Sequence, residues 1–306
     1  MHATLPLDDP DYPSLLRRTP GAPRTLYVDG AIEALWHPAI AIVGSRNATP
    51  GGFDNARQFA RAFARAGWCV VSGMALGIDT AAHLGALDEG GATVAVLGTG
   101  IDVAYPPRNA GLMRRITASG GAVASEYPPG TKGRPGQFPS RNRIVAALSL
   151  GTLVVEAAHA SGALITARLA GDAGREVFAL PGSIHNPMAR GCHRLLRDGA
   201  TLVESPEEVI AALAPIATAY ADDLRGRLHV PNSAVAALQH ASPSMDANTQ
   251  RLWEALGHDP TPMDVLVDRT RLTAAELVSM LLVMELEGRV VSEHGRYTRR
   301  DTHKAS

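Results

Sequence analysis

Four short segments carry the side chains with which this chain could do chemistry. Gly44-Ser45-Arg46 ends an apolar run, and the loop Thr49-Pro50-Gly51-Gly52 then opens a helix. Glycine admits a ligand to the backbone, serine offers a hydroxyl, and arginine presents a fork matched to phosphate oxygens. The helix start adds free N–H groups and a positive dipole end. Ser72-Gly73-Met74-Ala75-Leu76-Gly77-Ile78-Asp79 ends a second apolar run with two glycines around a loop that enters a helix. It reads either as a second amide nest for phosphate or as a plain turn in which Asp79 caps the helix. Ser161, Gly162 and Thr166 place further small donors at a helix start, just after Glu156.

The fourth segment, Tyr127–Val155, contains no Asp or Glu. It holds Lys132, Arg134, Arg141 and Arg143, with Asn142 among them and Phe138 in their midst. Cations tracking a phosphate chain beside an aromatic ring for a base suit a single strand, whose bases are exposed. The alternative is a solvated loop with Phe138 tucked into the core. Glu156 reads as a general base or as an anchor for Arg46, Arg141 or Arg143. The anchor is favoured, because a catalytic carboxylate works beside a second acid or base and none stands out.

Other chemistry finds little footing. His83, His159, His185 and His193 show no metal-ligand spacing, so no metal is expected. Neither a G-x-G-x-x-G nor a G-x-x-x-x-G-K-[ST] pattern occurs, which argues against dinucleotide and P-loop cofactors. Ser72 lies outside a G-x-S-x-G elbow. No catalytic residue and no cofactor are expected.

The elements that must position these segments follow a rhythm. Apolar runs at Ala39–Val43, Cys69–Ser72, Thr93–Leu97, Ala122–Ser125, Thr152–Glu156, Val177–Leu180 and Thr201–Val203 alternate with amphipathic stretches such as Phe53–Ala66 and Arg141–Leu148. This predicts an α/β fold: an extended Rossmann-like, doubly wound, mostly parallel sheet covered on both faces. The Gly/Ser segments fall at the C-terminal ends of its strands, where such sheets bind ligands. Residues 1–36, broken by five prolines, read as a short N-terminal extension packed on the domain at 37–213. Residues 214–244 read as a linker with some helix.

Residues 245–306 read as a small winged-helix domain. Helices are predicted at Asn248–Leu256, at Pro262–Asp268 and from Thr273 to about Glu287, where Thr273 and Glu276 form a capping-box pattern. A hairpin through Val290-Val291 and Arg296-Tyr297 completes it. Glu276, Glu285 and Glu287 suit the third helix poorly to a phosphate-lined groove. Arg296, Arg299, Arg300 and Lys304 leave the wing and tail open to nucleic acid.

Composition sets the outer limits. The chain has 306 residues, 45% hydrophobic and 19% charged, with a net charge of −1. It is not basic enough to coat nucleic acid everywhere, but a confined basic groove is compatible. Cys69 and Cys192 make neither a disulfide framework nor a zinc site. The first residues carry no apolar signal region, and no apolar stretch approaches membrane-spanning length. A soluble, cytoplasmic protein is expected.

Together these residues resemble the DprA/Smf family (DNA-processing protein A). The resemblance rests on Ala41-Ile42-Val43-Gly44-Ser45-Arg46, Ser72–Asp79 with His83, Tyr105-Pro106, Ser125-Glu126 and Phe138-Pro139-Ser140-Arg141-Asn142-Arg143. It continues through Val155-Glu156, Ser161-Gly162, Thr166-Ala167, Pro181-Gly182 and Gly199-Ala200. It implies single-stranded DNA binding without hydrolysis, dimerisation, and loading of the recombinase RecA in natural transformation. It also implies DNA-binding roles for Gly44, Ser45, Arg46, Ser72, Gly73, Met74, Gly77, Phe138, Arg141, Asn142, Arg143, Ser161, Gly162 and Thr166. Lys132 and Arg134 lie where members carry a basic residue. Glu156 and Asp79 are expected as structural anchors.

Two departures stand out. About 36 residues precede the strand at Ala39, where many members carry a sterile-alpha-motif-like domain. His193 stands where the family motif usually has Asn, which touches the turn near Leu195-Leu196. Two other functions compete. A nucleotide-hydrolysing enzyme of the lysine-decarboxylase-like fold would use P-G-G-x-G-T-x-x-E. Gly151-Thr152 and Glu156 lack the P-G-G and have different spacing. A ligand-sensing transcription factor is disfavoured by the acidic third helix.

Overall fold

The computed structural model describes residues 2–228, 247–256 and 261–299, the last stretch without 275, 278, 279, 282, 283, 285–289, 294 and 295. It divides into two units, Met1–Val230 and Pro231–Ser306.

The first unit is built on one nine-stranded sheet. Its strands in chain order are β1 (His2–Pro6), β2 (Thr25–Gly30), β3 (Ala39–Val43), β4 (Cys69–Ser72), β5 (Thr93–Leu97), β6 (Ala122–Ser125), β7 (Gly151–Val154), β8 (Glu176–Ala179) and β9 (Thr201–Leu202). Their spatial order is β1-β2-β6-β5-β4-β3-β7-β8-β9. From β6 to β9 every pairing is parallel. The chain winds outward from β3 through β4, β5 and β6, then returns to β3's other side for β7, β8 and β9. The winding direction therefore reverses between β3 and β7, and a crevice opens beyond their carboxyl ends.

Helices α1 (Ser14–Arg17), α2 (Pro50–Arg65), α3 (Ile78–Asp88), α4 (Ala110–Ala118), α5 (Gln137–Ala147), α6 (Gly162–Asp172), α7 (Arg190–Arg197) and α8 (Pro206–Leu228) accompany the sheet. Strand β3 shows why its run is unbrokenly apolar. Successive side chains of a strand point to opposite faces. Ile40 and Ile42 join a core with Phe59 and Phe63 of α2 and Ile78 of α3. Ala41 and Val43 join another with Ile144 of α5 and Ala163 of α6. Both faces are buried, so neither tolerates a polar residue.

Two boundaries differ from expectation. Residues 1–36 do more than pack on the sheet: β1 and β2 extend it, β2 pairing antiparallel with both β1 and β6. Leu26 and Val28 are fully buried while Thr25 and Tyr27 are half-buried, a period-two pattern overshadowed by the neighbouring prolines. Helix α8 runs well into the stretch read as linker. Its buried Val209, Leu213, Ala217 and Tyr220 recur at helical spacing and join the α2-side core. Residues 229–244 of that stretch lie outside the described residues.

The second unit contains helices Ala247–Leu256 and Met263–Thr270 and further helical residues between 274 and 284. A three-stranded sheet places Arg296–Arg299 between Thr261–Pro262 and Val290–Glu293. Leu252, Leu256, Leu266, Leu277, Leu281, Met284 and Val290 form its core. Thr273 N and Oγ1 donate to Glu276 Oε2 at 2.8 and 2.6 Å, and Glu276 N donates back to Thr273 Oγ1 at 3.4 Å. This is the reciprocal capping box. Glu285, Glu287, Arg300 and Lys304 lie outside the described residues.

Candidate nucleic-acid interface

A cavity of about 500 Å³ occupies the crevice where the sheet reverses. The turns after β3, β4 and β7 and the first turns of α5 and α6 line it. Of the residues singled out by sequence, Gly44, Ser45, Arg46, Gly73, Asp79, Phe138, Arg141, Asn142, Ser161, Gly162 and Thr166 stand in its wall.

The turn after β3 is tied down on both sides. Ser45 N donates to the Glu156 carbonyl at 2.7 Å, and Ile78 N donates to the Ser45 carbonyl at 3.1 Å. Ser45 is nearly buried, its hydroxyl accepting from Asn47 N at 3.1 Å and lying 3.3 Å from Met188 Sδ. Arg46, by contrast, is exposed and makes no ion pair among the described residues. It is the cation in the wall that is free to take a phosphate.

Among the described residues, Glu156 holds no arginine. Its carboxylate accepts from Thr49 N at 2.9 Å, Thr49 Oγ1 at 2.6 Å and Asn186 Nδ2 at 3.2 Å. Thr49 is the N-cap of α2, accepting from Gly52 N at 3.0 Å. The expectation that Glu156 anchors Arg46, Arg141 or Arg143 is corrected accordingly: it clamps the start of α2. Ser161 caps α6 in the same manner, accepting from Ala163 N at 3.3 Å. The start of α6 lines the crevice with its positive dipole end and free amides, whereas the α2 start lies outside the cavity wall.

The loop after β4 is largely structural. Ser72 is fully buried and donates to the Ile42 carbonyl at 2.6 Å. Met74 adopts a φ of 62° with its side chain fully buried. Gly77 has a φ of 76°, and a Cβ there would lie 2.3 Å from the Ser45 carbonyl oxygen. Ser72, Met74 and Gly77 therefore shape the loop from below, and only Gly73 and Ala75 of it face the cavity. Asp79 is buried and accepts from Ala75 N at 3.2 Å. Burial pushes its carboxyl above the ordinary value against the opposing Arg141 charge.

Helix α5 sorts its basic residues by periodicity. Phe138, Arg141, Asn142 and Val145 stand at i, i+3, i+4 and i+7, on one helix face, and all line the cavity. Arg143 lies off that face and is bridged twice to Glu126, at 2.9 and 2.7 Å. The structure thus separates Arg143 from the cavity. Arg141 is 5% exposed, and its Nη1 donates to the Val96 carbonyl. Burial draws its pKa down to about 10. Phe138 is half-buried, its ring 4.7 Å from that of Tyr105 at 33°. Lys132 and Arg134 are exposed on the preceding arm, outside the cavity wall.

Several participants escaped sequence reasoning. Tyr105 is 47% exposed and doubles the aromatic surface at Phe138, although sequence showed it only as part of a motif. Asn47, Ile165 and Met188 also line the cavity. Asn186, before a proline, signals a turn but not its bond to Glu156. His193 Nε2 lies 2.9 Å from the Gly182 carbonyl oxygen, and Leu195 and Leu196 pack partly buried on the core.

Comparison with known proteins bears directly on this geometry. Residues 3–214 match the family model "DNA recombination-mediator protein A", and residues 236–296 match "DprA winged helix domain". Protein Smf of Escherichia coli (strain K12) is 39% identical over 298 residues, 97% of this chain and 77% of that protein. The X-ray structure of DNA processing protein A from Streptococcus pneumoniae superposes with a TM-score of 0.65 at 42% identity, covering 68% of this chain and 73% of that one. DNA processing protein A from Helicobacter pylori, described with a single-stranded DNA binding mode, superposes with a TM-score of 0.63 at 30% identity, covering 70% and 96%.

Proposed function

The chain belongs to the DNA recombination-mediator protein A family, and on that premise we propose that it binds single-stranded DNA in the crevice between β3 and β7. It protects the incoming strand and loads the recombinase RecA onto it during natural transformation and homologous recombination, acting as a homodimer in the cytoplasm. The observation that carries this reading is the convergence of Arg46, the capped start of α6 and the Phe138–Asn142 face of α5 on one cavity. Phosphates bind at the start of α6 and at Arg46. Lys132 and Arg134 extend the basic path along the arm, and the Phe138–Tyr105 pair offers a face to a base. Asn142 and the Ser161–Thr166 turn complete the wall.

Hydrolysis finds less support. Glu156, the carboxylate a nucleotide hydrolase would need, is already engaged by three donors from Thr49 and Asn186. Such a carboxylate is committed as a clamp on the start of α2. No helix among the described residues is long and apolar enough to cross a membrane, which fits the location proposed.

Fluorescence anisotropy with labelled oligo-dT and duplex DNA across a salt series tests the reading. Affinity for oligo-dT exceeds that for duplex. Arg46→Ala lowers it and reduces the magnitude of the log–log salt slope by about 0.7, the value for one phosphate on a single strand. Phe138→Ala costs about 1–3 kcal/mol if the ring carries one base. Equal affinity for duplex, or unchanged oligo-dT binding in these variants and in Lys132→Ala/Arg134→Ala, overturns it. So does Glu156-dependent release of adenine from AMP.

A further inference from the structure

Arg141 stands on the cavity-facing side of α5, where a phosphate contact is expected, but its guanidinium has little freedom to make one. It is 5% exposed, Nη1 is committed to the Val96 carbonyl of β5, and Nε is buried without a partner among the described residues. A Cβ added to Gly73 would come within 2.5 Å of Nη1, 2.6 Å of Nη2 and 2.7 Å of Cζ. The end of the side chain therefore stands directly against the Gly73 backbone. A phosphate fork takes both Nη groups or Nε with one Nη, and at Arg141 Nη1 is committed while Nε is buried.

The loop that Arg141 abuts needs outside support. Met74 holds a left-handed φ of 62° without being glycine, a conformation that persists only where its surroundings over-determine it. Asp79 accepts from Ala75 N at 3.2 Å, and Asn109 Nδ2 donates to the Met74 carbonyl at 2.8 Å. Those bonds hold the middle of the loop. At its start, Arg141 is the side chain against Gly73.

We propose that Arg141 is a positioning residue, wedged between the β5 carbonyl edge and Gly73, which fixes the Gly73–Gly77 loop against the DNA strand without itself contacting phosphate. The proposal rests on the reading of this crevice as a single-strand site. It separates Arg141 from Arg46: both are arginines of the same wall, but Arg46 neutralises a phosphate and Arg141 sets backbone geometry. A buried arginine that meets no phosphate displaces no counterion, so its loss weakens binding without changing the salt slope.

The test uses the full chain, oligo-dT and a potassium chloride series, with thermal melts to confirm folding. Gly73→Ala is expected to weaken binding roughly tenfold with the wild-type salt slope, because the methyl displaces the loop from the guanidinium. In an Arg141→Gln background the collision is gone, and adding Gly73→Ala costs less than about twofold. An equal loss in both backgrounds overturns the proposal, since a methyl that blocks DNA directly acts in either. A slope reduced by about 0.7 in Arg141→Gln, as in Arg46→Ala, also overturns it. Should Arg141→Gln not fold, Arg141→Lys replaces it. That variant keeps the charge but not the wedge, so weaker binding at unchanged slope supports positioning, and full affinity overturns it. If Arg46→Ala changes nothing either, the site reading itself has failed; if Arg46→Ala acts alone, only the role of Arg141 has.

Discussion

His83 shows how a residue that reads as unremarkable in sequence acquires a physical consequence on burial. It is fully buried on α3. Nδ1 lies 2.7 Å from Thr93 Oγ1, whose single proton is given to the Val70 carbonyl at 2.6 Å. Nδ1 must therefore carry the hydrogen, and Nε2 is left buried without a partner among the described residues. Burial, reinforced by the Arg141 charge, lowers the pKa to about 3. The unfolded chain takes up a proton near pH 6.5 and the folded one does not. The stability this group contributes is complete above about pH 6.5 and drains as pH falls toward 3. At pH 5 the loss is about 2 kcal/mol. Asp79, raised by burial, acts in the opposite direction, so the comparison needs His83→Gln. Urea titrations at pH 7 and 5 should show the wild type losing about 2 kcal/mol more than the variant over that interval; equal losses would rule this out. At this scale sequence was a good guide to which loops matter and a poor guide to which atoms do. Ser45, Arg46 and Ser161 line the cavity, whereas Ser72 and Met74 sit beneath the loop they belong to. A motif records both kinds of residue alike, because exposure is set by packing from elsewhere in the chain.

At the scale of elements, the crevice depends on a bond network that joins three loops. Glu156 leaves β7 and receives donors from the α2 cap and from Asn186. Glycine stands against it at position 52, where a Cβ would lie 2.3 Å from the Glu156 Cδ and would displace the carboxylate. Thr49→Ala removes the N-cap acceptor and one of the carboxylate's donors together. Loss of such a cap costs about 0.5–2 kcal/mol, and a buried acceptor left short costs about 1–3 kcal/mol. We expect Thr49→Ala to lower stability by about 1–3 kcal/mol in urea unfolding, and Thr49→Ser to recover most of it. A Thr49→Ala variant as stable as the wild type would show that the clamp contributes nothing. The strands that position this network were legible as four- to six-residue apolar runs between helices, because burial on both faces leaves such a run few polar positions. The added β1–β2 pair and the length of α8 were not. Leu26 and Val28 alternate with half-buried residues in a short proline-flanked stretch. Pro215 lies inside α8, where proline ordinarily signals an end.

Over the whole molecule, 29 cations face 30 acids. Charge alone therefore cannot draw DNA to the surface at large, and strand affinity must arise locally. Every described cavity residue belongs to the first unit. That unit has its own cores on both faces of its sheet, and α8 closes one of them through Val209, Leu213, Ala217 and Tyr220. A unit with its own core folds by itself. A chain ending after Val230 should therefore melt cooperatively and keep oligo-dT affinity within about threefold, with the wild-type salt slope. The second unit has a separate core around Leu252, Leu266 and Leu281, and its third helix begins with Glu276 in a capping box. A carboxylate there favours the helix start and repels a phosphate brought to it. Loss of more than about tenfold in oligo-dT affinity on truncation would assign strand contacts to the second unit. Sequence-specific duplex binding by residues 231–306 alone would make that unit a DNA reader in its own right.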